Sequence, residues 1–522
     1  MSAALVKAMS QPGFYPHGPE RVSVLQTHIS WVFLAGDLVY KVKKPVNFGF
    51  LDFSSLEKRR FFCEEEITLN RRLAPDTYLK AVAVHRGRDG TYSLEGPGAV
   101  AEWAVVMKRL PDEGMADRML SEGRLTESVL DLLAGRLAAF HEEAATGGDV
   151  DRAGSLSAIG KNHKDNMDVL ERYVGSVLTR LQHRFLSVWA ERFISGNAAL
   201  FEERIKKKRI RDCHGDLHLE NICVENGVPV VFDCIEFSPA LRHGDVAGEI
   251  AFLCMDLDYS GAGDLADHFA ASYARCATDP GLFGVLAFYK FYRACVRAKV
   301  LCLRSDDQSL SSAERKEAWS RACCYLDFAF TYASRFSRPT LIIISGLMGT
   351  GKSALARELA ATTGSRLIRS DVVRKEILGI NPARHVKDPY GKGAYDPETT
   401  SRTYEVMLRE ARLCLENGQS VVLDASFKTA AQRKMAQDLA SGAGAEFFAV
   451  ACQCPETEVK RRLVNRSRIG QDPSDGRVEI FGLQRDDYEE PSEIPARRLI
   501  RITTTLTPRR LSQEVITGIQ GI

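Results

Sequence analysis

The sequence predicts a multidomain protein of mixed class, with an α+β first part and an α/β last part. Length supports several domains, because 522 residues at roughly 150 residues per domain give about three compact units. Short β-prone runs dominate the first hundred residues, and helical patterns follow them. Beyond residue 339, apolar runs alternate with helical patterns. That alternation predicts a parallel sheet with helices on both faces.

Composition and charge exclude several classes of protein. The chain is 45% apolar and 26% charged, and its 70 Lys and Arg against 68 Asp and Glu leave a net charge of +2. No global field therefore attracts nucleic acid or an anionic membrane. No apolar run approaches the roughly 20 residues of a membrane helix, and the first residues lack a signal-peptide pattern. We expect a cytoplasmic protein without a membrane partner, and a nucleic-acid partner is disfavoured.

The 13 cysteines are scattered along the chain without paired CxxC spacing. That distribution argues against a disulfide framework and against a zinc site. Buried, reduced cysteines are the expectation in a cytoplasmic protein.

The first part contains short strands around one helix. The predicted strands span 22–26, 31–34, 38–42, 79–85 and 101–108. Ser54 and Ser55 can cap a helix whose apolar pattern runs through Phe61, Ile67 and Leu73. From residue 124 to about 336 the pattern is helical, apart from one β-like segment at 210–237.

Pro339 follows a polar, basic stretch and marks the boundary to the last part of the chain. Strands are predicted there at 341–345, 366–369, 420–423, 446–452 and 499–503. Helices are predicted at 353–361, 400–417, 430–440 and 457–467.

The segment GLMGTGKS, residues 346–353, fits the pattern GxxxxGK[ST] between a predicted strand and a predicted helix. Backbone N–H groups of such a loop bind phosphate oxygens, the lysine reaches the β and γ phosphates, and the hydroxyl holds Mg²⁺. The segment therefore predicts a site for ATP with Mg²⁺. The candidate residues are Gly346, Gly349, Gly351, Lys352 and Ser353.

Two aspartates end predicted strands close to this loop. Asp424 is a candidate Mg²⁺ ligand, but Ala425 follows it, so the second acid of many motor ATPases is missing and hydrolysis is disfavoured as the main activity. Asp371 can accept a proton from a substrate hydroxyl. The same residue can instead cap the helix that follows, and the pattern leaves both roles open.

Arginines crowd the predicted helix near residue 460. Arg462 and Arg466 lie one turn apart, and Arg468 follows. Their charges can neutralise a transferring phosphoryl group. A solvated basic face is the alternative.

These segments, namely GLMGTGKS, RSDVVRKEI, VVLDASF and the arginine-rich run ending in DPSDG, resemble the P-loop small-molecule kinases. The nearest groups are gluconate kinase, polynucleotide 5′-hydroxyl kinase and the zeta-toxin kinases. The resemblance implies that Asp371 is the base and that Arg462, Arg466 and Arg468 bind phosphate.

A second constellation lies at 210–237. His214-Gly-Asp216 is followed by Asn221 and, after a short strand, by Asp233. Phosphoryl transfer needs a carboxylate that orients the hydroxyl and oxygen ligands for Mg²⁺. The segment resembles the aminoglycoside phosphotransferase and choline kinase-like family, which has the bilobal protein kinase fold. That resemblance implies that Asp216 is the base and that Asn221 and Asp233 are Mg²⁺ ligands.

The resemblance also implies residues of the small lobe. Lys41 on the third strand would bind ATP, with Lys43 as the alternative, and Glu66 of the following helix would be its partner. Met107, in the run 105–109, would contact adenine, unless that run is only a core strand.

Three polar residues near the second constellation are expected to support it. His214 and His218 would brace the loop backbone by hydrogen bonds, and Asp245 would anchor the loop. The basic run at 206–211 is interpreted as a solvated face.

The sequence therefore predicts a kinase-like small lobe at 1–108, a large lobe at 109–336 and a P-loop kinase domain at 337–522. The predicted function is bifunctional transfer of the γ-phosphoryl of ATP, with Mg²⁺, to hydroxyls of small molecules. A regulatory protein in which one unit gates the other is the first alternative, and a polynucleotide or protein kinase is the second. The sequence does not indicate an oligomeric state.

Overall fold

The computed structural model divides into two compact units. Unit 1 comprises residues 1–173 and 190–329, and unit 2 comprises 174–189 and 330–522. The described residues are 3–49, 51–94, 96–381, 388–389, 391–469 and 477–522, with the backbone alone described at 466–469. Within these ranges, no helix is both long enough and apolar enough to cross a membrane.

Unit 1 contains a six-stranded antiparallel sheet in the order β1-β2-β3-β6-β4-β5. Five strands lie where the sequence predicts them. The fifth in chain order has only three residues, too few to show an alternating pattern. The strands are β1 (Val22–Gln26), β2 (Ser30–Ala35), β3 (Leu38–Lys43), β4 (Tyr78–Arg86), β5 (Tyr92–Leu94) and β6 (Ala99–Lys108).

The two faces of β3 have different chemistry, because successive side chains of a strand point to opposite faces. Tyr40 and Val42 join a buried apolar cluster that also contains Leu5. Lys41 and Lys43 therefore lie on the opposite face of the sheet.

The helix after β3 begins at the predicted cap. The Ser55 side chain accepts a hydrogen bond from the backbone N–H of Lys58, and the helix spans Leu56–Asn70. The predicted apolar face is wrong at Phe61, which is 55% exposed, whereas Glu66 is completely buried. The buried face of this helix therefore carries a charge.

The rest of unit 1 is helical, apart from two small antiparallel pairs, β7 with β10 and β8 with β9. The additional strands are β7 (Ile210–Asp212), β8 (Ile222–Glu225), β9 (Val228–Val231) and β10 (His243–Asp245). The first thirteen helices of the chain are α1 (Ala3–Met9), α2 (Leu56–Asn70), α3 (Ala116–Ser121), α4 (Glu127–Glu143), α5 (Gly148–Arg152), α6 (Leu156–Glu171), α7 (Arg180–Gly196), α8 (Ala198–Lys206), α9 (Pro239–Arg242), α10 (Val246–Tyr259), α11 (Gly263–Cys276), α12 (Leu282–Ser305) and α13 (Ser312–Ser334).

Unit 2 contains the predicted parallel sheet, in the order β12-β13-β11-β14-β15. Its strands are β11 (Thr340–Ser345), β12 (Arg366–Arg369), β13 (Val421–Asp424), β14 (Glu446–Gln453) and β15 (Leu499–Thr503). Its helices are α14 (Lys352–Thr363), α15 (Ser370–Ile377), α16 (Pro397–Glu416), α17 (Ala430–Gly442), α18 (Glu456–Ile469), α19 (Val478–Asp486) and α20 (Pro508–Gln520).

Strand β11 is central and buried along its whole length. Its residues Leu341 and Ile343 pack in one cluster with Met407 of α16 and Ala436 of α17. Because the carboxyl ends of parallel strands share one edge of a sheet, the ends of β11, β12 and β13 lie together. That edge collects the predicted P-loop, Asp371 and Asp424.

Candidate functional site

The charged face of β3 in unit 1 forms a site with α2 and the segment after β9. Lys41 Nζ lies 2.8 Å from Glu66 Oε1 and 2.5 Å from Asp233 Oδ1. Asp233 has a left-handed backbone with φ 62°, and its N–H donates to the hydroxyl of Tyr78 at 3.0 Å. The structure thus brings together three of the predicted small-lobe and metal-binding residues.

Lys43 is also an ion-pair partner of Glu66. Its Nζ lies 2.6 Å from Glu66 Oε2 and also pairs with Glu236, and its side chain is completely buried. Burial by itself raises the pKa of Glu66, but the ammonium groups of Lys41 and Lys43 outweigh it and lower the pKa to about 2. Burial raises the pKa of Glu236 above its usual value. Both lysines therefore belong to one buried cluster of four charges, the Lys43 cluster, made of Lys41, Lys43, Glu66 and Glu236.

The predicted catalytic loop lies between β7 and β8. Asn221 Nδ2 donates to the backbone carbonyl of Asp216 at 3.0 Å and to its carboxylate at 3.3 Å. His218 Nε2 lies 3.4 Å from the same carboxylate. Burial favours a raised pKa for Asp216, but the hydrogen bond from His218 and its charge outweigh that effect and hold the pKa well below its usual range. Asp216 is therefore an ionised, oriented carboxylate.

The backbone of this loop is held by residues on both sides. His214 Nε2 donates to the carbonyl of Phe232 at 3.0 Å, as predicted for a bracing histidine. Glu249 of α10 accepts from the N–H of His214 at 2.8 Å and from that of Gly215 at 3.4 Å. Sequence reasoning missed Glu249, because nothing in its local pattern separates it from other helical glutamates.

The prediction that the side chain of Asp245 anchors the loop is wrong. Asp245 instead caps α10 by accepting from the N–H of Ala247 at 2.9 Å, and it pairs with Arg204 at 2.7 Å. Both members of this pair are buried. The loop anchor therefore lies one helical turn further along the chain than expected.

Met107 belongs to β6, where it pairs with Val39 of β3 and Tyr78 of β4. Its half-buried side chain packs against the cluster that contains Cys63 and Val105. These contacts agree with the core-strand alternative, and contact with adenine stays a prediction.

The P-loop of unit 2 has the backbone that its glycines allow. Gly346, Gly349 and Gly351 have φ values of 133°, 74° and 85°, in the region that side chains disfavour. A Cβ at Gly346 would lie 2.5 Å from the carbonyl oxygen of Cys452. Lys352 starts α14, and its Nζ donates to the carbonyl of Leu347 at 2.7 Å. The loop therefore precedes a helix N-terminus, as phosphate binding requires.

A cavity of about 610 Å³ opens at this loop. Lys352, Ser353, Asp371 and Asp424 all line it. Asp424 ends β13, and its carboxylate accepts a hydrogen bond from Arg369 Nε at 3.0 Å. The structure thus brings the predicted phosphate, metal and base residues of unit 2 to one cavity.

The alternative role of Asp371 as a helix cap is wrong. The cap position of α15 is occupied by Arg369, and Asp371 lies inside the first helical turn. Asp371 lines the cavity, and its carboxylate does not cap the helix.

The predicted lid arginines lie only partly within the described residues. Arg462 Nε lies 2.8 Å from Glu458, and its Nη2 donates to the carbonyl of Thr504 at 2.6 Å. This places Arg462 beside Gly351, and it is not among the residues that line the cavity. Arg466 and Arg468 belong to α18, but only their backbone is described, so their predicted side-chain roles lie outside the described residues. The DPSDG segment also lies outside the described residues. Among the residues that the structure describes, three other arginines line the cavity, namely Arg357, Arg374 and Arg477.

Two family models match the chain. The model described as the phosphotransferase enzyme family matches residues 59–282, and the model described as an AAA domain matches residues 341–491. The first match contains the Asp216 loop, and the second contains the P-loop, Asp371 and Asp424.

Some similar proteins match most of this chain, whereas similar solved structures match only a part of it. Uncharacterized proteins of Mycobacterium tuberculosis and Mycobacterium bovis are 34% identical over 474 residues, which are 90% of this chain and 91% of theirs. A choline/ethanolamine kinase family protein from Mesorhizobium loti matches 62% of this chain and 99% of its own, with 13% identity and a TM-score of 0.36. A gluconokinase from Sinorhizobium meliloti matches 36% of this chain and 94% of its own, with 19% identity and a TM-score of 0.26.

The two family matches agree with the two sites. The first site lies in the part of the chain that matches the phosphotransferase family model, and the second lies in the part that matches the AAA domain model. This chain is therefore a kinase that belongs to the same family as the uncharacterized mycobacterial proteins.

Proposed function

We propose that each unit transfers the γ-phosphoryl group of ATP, with Mg²⁺, to a hydroxyl of a small molecule such as a sugar or an aminosugar. The observation that carries the proposal is the cavity of unit 2, which brings Lys352, Ser353, Asp371 and Asp424 together. Unit 1 offers the equivalent chemistry with Asp216, held by Asn221, and with Lys41 beside Asp233.

In unit 1, Asp216 acts as the base. Its carboxylate stays ionised at neutral pH because its pKa is lowered, so it can accept the proton of an attacking hydroxyl. Asn221 uses its amide N–H₂ on Asp216, which leaves the amide oxygen for a metal. The side chain of Asp233 is 46% exposed. Two oxygen donors of this kind fit Mg²⁺, which neutralises phosphate charge when bound.

In unit 2, the P-loop N–H groups and Lys352 hold the phosphates, and Asp371 accepts the proton. Ser353 and Asp424 provide the oxygen donors that suit Mg²⁺. The same cavity is lined by Arg357, Arg374 and Arg477. Their positive charges stabilise the negative charge of the transferring phosphoryl group or of an anionic part of the acceptor. Of these three arginines, Arg357 and Arg477 were not selected by the sequence pattern, whereas Arg374 follows Asp371 by one turn and was a candidate for contact with substrate or phosphate.

A small acceptor is favoured over a macromolecule. The net charge of +2 gives no extended electrostatic attraction for a polynucleotide. The cavity volume of about 610 Å³ falls within the range of small-molecule sites. Both features are expected of a metabolite kinase.

The test is a phosphorylation screen of a metabolite library with radiolabelled ATP and the purified full chain. We expect Asp216→Asn to abolish phosphorylation of one acceptor, and Asp371→Asn to abolish that of another, each by a factor of at least about 100. Glu220→Gln, which changes an exposed carboxylate near Asp216, is the matched control and should retain both activities.

Each other outcome identifies a different error. Full activity in both aspartate variants would overturn the assignment of the bases. Nucleotide binding without turnover in one unit would favour the regulatory alternative. Salt-dependent competition by RNA or DNA would favour a polynucleotide kinase.

A further inference from the structure

A second cluster of ligand-type side chains lies behind the catalytic loop of unit 1. His141 comes from the last turn of α4, Cys213 follows β7, and Glu249 comes from the first turn of α10. One ligand atom from each lies within 4.8 Å of the other two. All three residues are buried.

Two of these atoms have no hydrogen-bond partner in the described part of the chain. They are His141 Nε2 and Glu249 Oε1, and they lie 3.7 Å apart. That separation is too long for a hydrogen bond. Burial of polar atoms without hydrogen-bond partners is unfavourable, and a cation between these two atoms, which lie at ion-pair distance, would satisfy both.

The separation suits two ligands of one metal ion. An imidazole nitrogen and a carboxylate oxygen at tetrahedral positions around zinc are about 3.4 Å apart, since each bond is about 2.0 Å long. The third atom, Cys213 Sγ, contacts the carbonyl oxygens of Arg211 at 3.5 Å and Gly244 at 3.7 Å, and the thiol also interacts with Glu249. A thiolate and a carboxylate together balance the charge of a divalent cation.

The other polar atom of each of the His141 and Glu249 side chains already has a hydrogen-bond partner, which fixes the orientation of the side chain. His141 Nδ1 forms a hydrogen bond with the hydroxyl of Tyr273 at 2.7 Å. Glu249 Oε2 accepts from the N–H groups of His214 and Gly215. Fixing one side of each ligand so that the other side faces the ion is typical of metal sites in proteins.

We propose that His141 Nε2, Cys213 Sγ and Glu249 Oε1 bind a zinc ion. A small cavity borders the cluster on the His141 side, lined by Val246 and Tyr273 and also by the cations Lys208, Arg209 and Arg211. A water molecule would complete the tetrahedral set of ligands. Zinc is the expected metal because it accepts sulfur, imidazole and carboxylate ligands together. The three ligands come from distant parts of the chain, which is why cysteine spacing gave no indication of them.

The ion would stabilise the start of the catalytic loop. Cys213 directly precedes His214, and Glu249 holds the backbone of His214 and Gly215, just before Asp216. The proposal concerns the fold of the loop and does not depend on the acceptor or on catalytic activity.

The test is metal analysis of the full chain, together with cobalt substitution. The purified protein, loaded with equimolar zinc and dialysed against metal-free buffer, should retain one zinc ion per chain. After replacement by Co²⁺ it should show a thiolate-to-cobalt charge-transfer band. Oxygen ligands of the catalytic Mg²⁺ sites cannot produce that band.

Variants locate the ion. Cys213→Ser should abolish the charge-transfer band, and His141→Gln should lower zinc retention at least about tenfold. Cys295→Ser, at a completely buried cysteine, is the matched control and should retain both properties. Far-ultraviolet circular dichroism checks that each variant is folded.

Two results would overturn the proposal. One is wild-type protein that is folded but shows no thiolate–cobalt band. The other is zinc that remains bound at full stoichiometry in folded Cys213→Ser and His141→Gln. The first result decides the question even if both variants fail to fold.

Discussion

Replacement of Lys43 by methionine tests the Lys43 cluster. Methionine keeps most of the volume of the side chain but removes its charge. Glu66 would keep Lys41 as a partner at 2.8 Å, whereas Glu236 has an ion pair only with Lys43 among the described residues. Because the loss of one member of a buried pair leaves an uncompensated charge, we expect the free energy of unfolding of unit 1 to fall by about 3–5 kcal/mol at neutral pH.

The loss should depend on pH in a defined direction. Burial already raises the pKa of Glu236 above its ordinary value near 4.5, and removal of the Lys43 charge raises it further. The folded state then binds more protons than the unfolded state between these two pKa values, so stability falls as the pH rises through that window. The deficit of Lys43→Met should therefore be larger at pH 8 than at pH 5.

Hydrogen exchange of the full chain measures this effect in unit 1 alone. Mass spectrometry of peptides from β3 and α2, corrected for intrinsic exchange rates, gives the free energy of opening for these elements. Lys58→Met is the matched control, because it removes an exposed ion pair with Asp52 and should cost less than about 1 kcal/mol. The double variant Lys43→Met, Glu236→Leu should regain most of the stability, since a buried pair can often be replaced by apolar residues. A double variant as unstable as the single one, or equal deficits at pH 5 and pH 8, would refute the electrostatic reasoning.

Three further predictions concern the two sites. Lys352→Ala should remove one of two nucleotide sites per chain in a titration with a fluorescent ATP analogue, and an unchanged stoichiometry would contradict the role of the P-loop. Gly349→Ala should destabilise unit 2 by about 1–3 kcal/mol, measured by hydrogen exchange in β11, because a Cβ there would lie 2.9 Å from Val459 at a φ of 74°. Burial alone lowers the pKa of His218, but its hydrogen bond to Asp216 raises the pKa above 6.5. As the pH rises through that pKa the positive partner of Asp216 is lost and the base becomes stronger, so the unit 1 rate should rise, and His218→Gln should lack this inflection in its pH profile.

The site of unit 2 was predictable because its information is local. Eight consecutive residues, 346–353, define the P-loop. Asp371 lies two residues beyond the end of β12, and Asp424 ends β13. Since the sheet places those strand ends at one edge, short segments were enough to predict their convergence. The cap rule failed at Asp371, because α15 begins two residues earlier than the pattern suggested.

The buried charges of unit 1 could be predicted only in part: the family resemblance selected Lys41, Lys43 and Glu66, but it did not select Glu236. The helical pattern of α2 gave Phe61 an inward position, yet Phe61 is exposed and Glu66 is buried. The partner Glu236 lies far along the chain from Lys43, and its identity depends on packing that periodicity does not encode. The same holds for Glu249, which holds the catalytic loop by its backbone.

The Lys43 cluster also explains how one lysine can change partners. Lys41 contacts both Glu66 and Asp233, but in the proposed reaction it must bind phosphate while Asp233 binds Mg²⁺. If Lys41 were the sole partner of Glu66, its movement toward phosphate would leave a buried carboxylate uncompensated, which is costly. Lys43 provides a second positive charge, 2.6 Å from Glu66. Lys43 therefore lowers the free-energy cost of moving Lys41 away from Glu66. In this interpretation both lysines have a function: Lys41 binds phosphate, and Lys43 compensates the charge of Glu66.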